Sequence, residues 1–171
     1  MSKAFKVVVT GAFNAGKTEF VRSASDIDVV NTDRRVTDAL AEIKDTTTVA
    51  MDYGQVTVDG NLFHLFGTPG QERFEFMWDI LGRDTDAVLL LVDSTDRISL
   101  TVTRRMLRFF RRKARLPVLI VATKQDLPGA MPAAEIGKRL GVEPSMPIVS
   151  CDPRRRESTL EVMRRLSHLI G

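Results

Sequence analysis

Gly11-Ala12-Phe13-Asn14-Ala15-Gly16-Lys17-Thr18 constrains this chain more than any other stretch. It is a complete G-x-x-x-x-G-K-S/T pattern. It follows the apolar run Phe5–Val9 and precedes a helix-period segment. A glycine-flanked bend between a strand and a helix turns main-chain N–H groups inward, and the helix N-terminus adds its dipole. The pattern predicts that amides from Asn14, Ala15, Gly16, Lys17, Thr18 and Glu19 cradle a polyphosphate. Lys17 reaches the β- and γ-phosphates as a point charge, and the Thr18 hydroxyl is positioned for Mg²⁺.

Apolar runs alternate with helix-period segments along the rest of the chain, an α/β pattern. The strand candidates are Phe5–Val9, Thr48–Val58, Leu62–Phe66, Ala87–Val92, Val118–Ala122 and Ile148–Ser150. Val7–Val9 and Val88–Val92 are nearly continuous, as parallel strands covered on both faces require. Val49–Val58 alternates more, and Asp59-Gly60 is a hairpin turn signal, so the second and third strands pair antiparallel. Helices are expected to start near Lys17, Phe74, Ile98, Pro132 and Glu157. Phe74, Met77, Trp78 and Leu81 mark one face of the second, and Val102, Met106, Phe109 and Phe110 a buried stripe in the third. The expected fold is a three-layer P-loop NTPase. Its sheet is six-stranded and mostly parallel with one antiparallel edge strand, and about five helices flank it. Residues 1–171 read as a single domain.

Three further motifs extend the site. Thr123-Lys124-Gln125-Asp126 follows the strand Val118–Ala122. A carboxylate accepts two hydrogen bonds at once, which matches the N1–H and N2–H₂ donors of guanine. Adenine would leave that carboxylate of Asp126 unpaired, so a guanine nucleotide, GTP or GDP, is favoured over an adenine one. Lys124 lays its alkyl stem along the base. Gly67-Thr68-Pro69-Gly70-Gln71-Glu72 follows the third strand, where the Gly70 N–H can contact a γ-phosphate and Gln71 can orient the attacking water. The run Thr46-Thr47-Thr48 supplies a hydroxyl for the metal.

This ordered set spans nearly the whole chain and resembles the Ras-like small GTPase superfamily. Thr48-Val49-Ala50-Met51-Asp52-Tyr53-Gly54 and Leu65–Phe74 look most like its prokaryotic branch, the gliding-motility and polarity GTPases and the conservon nucleotide-binding proteins. The resemblance implies Thr48 as the switch threonine on the metal. It implies Ser150-Cys151-Asp152 as a guanine-contacting turn in which a backbone N–H meets the base O6. It also implies a roadblock-type regulatory partner, alongside other protein regulators and effectors. A GTP hydrolase acting as a molecular switch in signalling or cell polarity is expected, with Lys17, Gly70 and Gln71 as its catalytic groups. Its intrinsic turnover is slow and stimulated by a partner. The alternative is an interaction module that binds nucleotide with little hydrolysis, and an ATP-dependent phosphotransferase is a further rival.

Three departures from the superfamily pattern stand out. Gly67 occupies the place of the aspartate in D-x-x-G that organises Mg²⁺, with Asp33 and Asp45 as candidate substitutes. Thr123 replaces the usual asparagine, which predicts the loss of an amide tying the base turn to the phosphate loop. Phe13 and Asn14 stand where two glycines are usual. No arginine is obviously aimed at the γ-phosphate, although Arg34, Arg35 and Arg73 lie in or near the switches.

A net charge of +3 calls for no nucleic-acid partner. Cations do crowd Arg104–Arg115, so any membrane contact is expected to be peripheral, through that helix. The single cysteine, Cys151, suits a reducing compartment and reads as a packed residue. The apolar runs are strand-length and the start carries no signal-peptide core, so the chain is expected in the cytoplasm.

Overall fold

The computed structural model describes residues 2–35, 48–68 and 83–171. In chain order the elements are β1 (Ala4–Gly11), α1 (Lys17–Ala24), β2 (Val30–Arg35), β3 (Thr48–Val58), β4 (Asn61–Gly67), β5 (Ala87–Asp93), α2 (Leu100–Arg108), β6 (Val118–Thr123), α3 (Ala133–Leu140), β7 (Ile148–Cys151) and α4 (Arg156–Ile170). A π-helical turn, Phe109–Lys113, continues α2. The expected helix near Phe74, with Met77, Trp78 and Leu81, lies outside the described residues.

The strands form one sheet in the order β2-β3-β4-β1-β5-β6-β7. β1 pairs in parallel with both β4 and β5, and the parallel set continues through β6 to β7. β3 runs antiparallel to β2 and to β4. The expected mostly parallel sheet with one antiparallel strand is present, but it has seven strands rather than six. The added strand, β2, lies outside β3, so the antiparallel strand is second from the edge. Val30-Asn31-Thr32-Asp33-Arg34-Arg35 carries almost no apolar alternation. An edge strand of that kind is held by main-chain pairing, from Val30 opposite Tyr53 to Arg35 opposite Thr48, and leaves little hydrophobic signal.

Alternation along the strands sorts the core into two layers. Val7 and Val9 of β1, with Leu89 and Leu91 of β5, pack against Phe20, Val21 and Ala24 of α1 and Val162, Met163 and Leu166 of α4. Val8, Val88, Leu90 and Val92 point the other way, onto Leu100, Met106, Leu107 and Phe110 and onto Ile136 and Leu140 of α3. β5 and β6 are buried along their whole length. Of the predicted stripe in α2, Met106 and Phe110 are fully buried, whereas Val102 and Phe109 are half-buried at its margin. The hairpin between β3 and β4 turns at Asp59 and Gly60, whose φ values of 51° and 79° suit a tight primed turn.

This architecture sets the carboxyl ends of β1, β5, β6 and β7 side by side. The loops leaving those ends carry the motifs singled out in the sequence.

Candidate functional site

β1 delivers the chain to Gly11, where a Cβ would collide with the carbonyl oxygen of Leu91 on the neighbouring strand. Gly16 closes the bend at φ 104°, and a Cβ there would come within 3.0 Å of Pro153. Only glycine is tolerated at both points. Between them Asn14 is left-handed, at φ 67°, and the Ala15 N–H donates to Ala12 O. α1 starts at once, anchored by buried Phe20, Val21 and Ala24, and no side chain caps its N-terminus. Its first amides therefore face the bend, the arrangement that accepts an anion.

Lys17 Nζ curls back over this bend and donates to Gly11 O at 3.0 Å and Ala12 O at 2.8 Å. Burial pushes its ammonium down to a pKa of about 8. A desolvated cation beside inward-facing amides is strongly favourable to a polyphosphate, whose charge would restore the ammonium.

Next along α1, Thr18 Oγ1 donates to Asp52 Oδ2 at 2.8 Å. Asp52 lies on β3 directly opposite Gly67 of β4. A Cβ built on Gly67 would stand 3.5 Å from that of Asp52. The carboxylate that the D-x-x-G pattern carries on β4 is thus present one strand away, at the hydroxyl of Thr18. Neither Asp33 nor Asp45 was needed to find it. Asp33 is on β2, and Asp45 lies outside the described residues. The signal was a lone acid within the alternating run Met51-Asp52-Tyr53, legible only once the β3–β4 register is known.

A hydroxyl with one nearby carboxylate fits Mg²⁺, which keeps several waters and takes few protein ligands when phosphates share it. No cluster of three or more His, Cys, Asp or Glu that could hold a metal occurs among the described residues. Thr48, the other predicted metal ligand, is the first residue of β3. Thr68 is buried against β1, with its N–H on Val9 O at 2.9 Å and its hydroxyl on Thr10 Oγ1 at 2.7 Å. The G-x-P-G-Q segment therefore leaves from a fixed point. Gly70, Gln71 and Arg73 lie outside the described residues.

The turn predicted to read the base, Thr123–Asp126, follows β6. Thr123 Oγ1 is fully buried and donates to Ala15 O at 2.8 Å, with Val92 O its alternative acceptor at 3.1 Å. With no amide at this position, the Thr123 hydroxyl links the turn to the phosphate loop. Lys124, left-handed at φ 60°, adds a second link through Nζ to Asn14 O at 3.0 Å and pairs with Asp93 at 2.8 Å. Burial works against the Asp93 carboxylate, but hydrogen bonds from Lys124 and Thr95 outweigh it and hold its pKa below the usual range. Asp126 stands at the rim, 57% exposed, 3.5 Å from the guanidinium of Arg154.

Ser150 and Cys151 end β7 beside this turn, with Ser150 opposite Ala122 and Cys151 opposite Thr123, and Asp152 follows the strand. Cys151 is buried, and burial raises its thiol pKa although the Ser158 hydroxyl opposes the shift. The Asp152 N–H already donates to Ser158 Oγ at 2.8 Å. Sequence reading missed Arg154, which sits in what reads as a solvated basic run, Arg154-Arg155-Arg156.

A sequence model described as "Arf: ADP-ribosylation factor family" matches residues 1–170. The chain belongs to that family. It is accordingly an Arf-family small GTPase, a GTP-binding molecular switch. Among its relatives, ADP-ribosylation factor-like protein 5A of Bos taurus is 33% identical over 140 residues, covering 79% of this chain and 70% of the relative. ADP-ribosylation factor-like protein 5 of Caenorhabditis elegans is 29% identical over 146 residues, covering 84% and 75%. In fold the chain is similar to the Arl6 BBS3 small GTPase of Trypanosoma brucei with bound GppNp, at TM-score 0.73 and 22% identity over 98% of this chain and 97% of that one. The G domain of the Thermotoga maritima FeoB iron transporter is a second structural neighbour, at TM-score 0.72 and 19% identity over 98% and 99%. No helix among the described residues is long and apolar enough to cross a membrane.

Proposed function

We propose that this Arf-family chain, a single G domain over residues 1–171, binds GTP with Mg²⁺ and hydrolyses it slowly to GDP. The observation that carries the reading is the half-buried ammonium of Lys17 above the glycine-flanked bend, with Thr18 on Asp52 alongside. Main-chain amides from Asn14 to Glu19 hold the phosphates, and Asp126 reads guanine with Thr123 and Lys124 bracing the turn. Ser150, Cys151 and Asp152 line the far side of the base.

Thr18 and Thr48 would hold Mg²⁺ directly, and Asp52 would hold its water shell. Bound there, the ion neutralises charge on the β- and γ-phosphate oxygens. Lys17 supplies fixed positive charge, the Gly70 N–H contacts the γ-phosphate, and Gln71 orients the attacking water. Arg34 and Arg35 start on the edge strand β2 rather than at the phosphate loop. Intrinsic turnover is therefore slow, and a partner that repositions the switches accelerates it. The motif resemblance supports a prokaryotic-branch switch in signalling or cell polarity, with a roadblock-type activator. A cytoplasmic protein follows from the same reading, touching membranes at most through the basic segment 104–115.

The rival interaction module rested on Gly67 leaving the metal without a carboxylate; Asp52 beside the Thr18 hydroxyl favours hydrolysis over it. Single-turnover assays with Mg²⁺ test the proposal. GTP should be cleaved at rates well below about 1 per second without a partner. ATP should fail to compete. Cleavage that is undetectable over many hours, with and without candidate activators, would overturn hydrolysis and leave the binding module.

A further inference from the structure

We propose that Arg154 is a specificity-determining residue of the base pocket, fixing the carboxylate of Asp126 in the pose that reads guanine. The inference rests on the guanine-nucleotide reading above and goes beyond it, because nothing in the sequence motif assigns this arginine a role.

Arg154 is itself held in place. Its Nε and Nη2 grip both carboxylate oxygens of Asp152, each at 3.0 Å, in a bidentate fork. Its backbone N–H also donates to Asp152 Oδ1 at 3.0 Å. Pro153, just before it, restricts the backbone and packs against Gly16 of the phosphate loop. The Arg154 side chain is 66% exposed, yet two guanidinium hydrogen bonds to one half-buried carboxylate, with the backbone N–H as a third, limit its freedom. The same Nη2 then points at Asp126 Oδ2, 3.5 Å away.

Asp126 needs this help. Its side chain is more than half exposed, at the rim of a turn, where a carboxylate would otherwise turn about its own bonds. Reading N1–H and N2–H₂ together demands that both oxygens lie in the plane of the base. A carboxylate offers about four lone-pair directions, so Arg154 can hold Oδ2 by charge from the outside and leave those directions to guanine. The planar fork is what makes the arrangement rigid. Lysine, a flexible point charge, would not reproduce it.

The test compares GDP with inosine diphosphate, which lacks the N2 amino group, by calorimetry at low salt. The parent is measured first. If it takes up neither nucleotide, the guanine reading itself fails. If it prefers GDP, Arg154→Ala should weaken GDP about three- to fivefold and shrink the preference over inosine diphosphate by a similar factor. Arg154→Lys should behave like Arg154→Ala, and Arg155→Ala like the parent. In an Asp126→Ala background the Arg154 change should have no further effect, and about 0.5 M salt should erase most of it in the parent. Unchanged GDP binding by Arg154→Ala would overturn the proposal. So would an equal loss for both nucleotides that persists without Asp126, since Arg154 would then act on the fold or the phosphates.

Discussion

The phosphate end and the base end of this site are built on opposite principles. At the phosphate end the ammonium of Lys17 is half-buried over carbonyls, Gly11 and Gly16 admit no side chain, and α1 is anchored to the core by Phe20. At the base end the reading group, Asp126, is exposed, and its bracing is a chain of surface charges through Arg154 to Asp152. Low dielectric makes each contact at the first end worth far more than its counterpart at the second. Substitutions should therefore have graded effects from one end to the other.

The largest effect is expected at Lys17. Lys17→Ala should weaken GDP and GTP by about a hundredfold in calorimetry, the scale of charge-assisted hydrogen bonds to phosphate lost from a buried site. An effect no larger than that of Arg154→Ala would erase the contrast between the ends.

Next comes pH. The Lys17 ammonium sits at about 8, lowered by burial from 10.5. Below pH 8 it is charged and ready for phosphate. Above pH 8 binding must first take up a proton, so affinity should fall by up to about tenfold per pH unit. The unfolded chain keeps that proton until pH 10.5, so the nucleotide-free protein should gain thermal stability as pH climbs from 8 toward 10.5. Proton uptake measured in two buffers of different ionisation enthalpy checks the first statement, and melting curves the second.

The smallest of these effects is set at the joint between the two ends. Thr123→Val removes a buried hydroxyl and leaves Ala15 O without its donor. It should cost about 1 kcal/mol, or about fivefold in nucleotide affinity, while Thr123→Ser stays near the parent.

The same contrast explains what the sequence could reveal. The phosphate loop, Thr123–Asp126 and the apolar strands were legible because glycine spacing and continuous Val/Leu runs are local signals. β2 was not, since V-N-T-D-R-R carries almost no apolar alternation. Asp52 was not, because its role depends on lying opposite Gly67, a fact of register rather than of spacing. Nor was Arg154, whose neighbours Asp126 and Asp152 meet only when β6 and β7 run side by side. The link from Thr123 to Ala15 was not legible either, because a hydroxyl that reaches the phosphate loop leaves no motif of its own.

The account stands most directly on the carboxylate that has moved from β4 to β3. Nucleotide affinity titrated against Mg²⁺ reads it, in the parent, in Asp52→Ala and in Asp52→Ala with Gly67→Asp. Asp52→Ala should raise the Mg²⁺ needed for half-maximal tight binding by about 10- to 100-fold, and the added aspartate at position 67 should recover most of that loss. Superimposable curves for the parent and Asp52→Ala would contradict it.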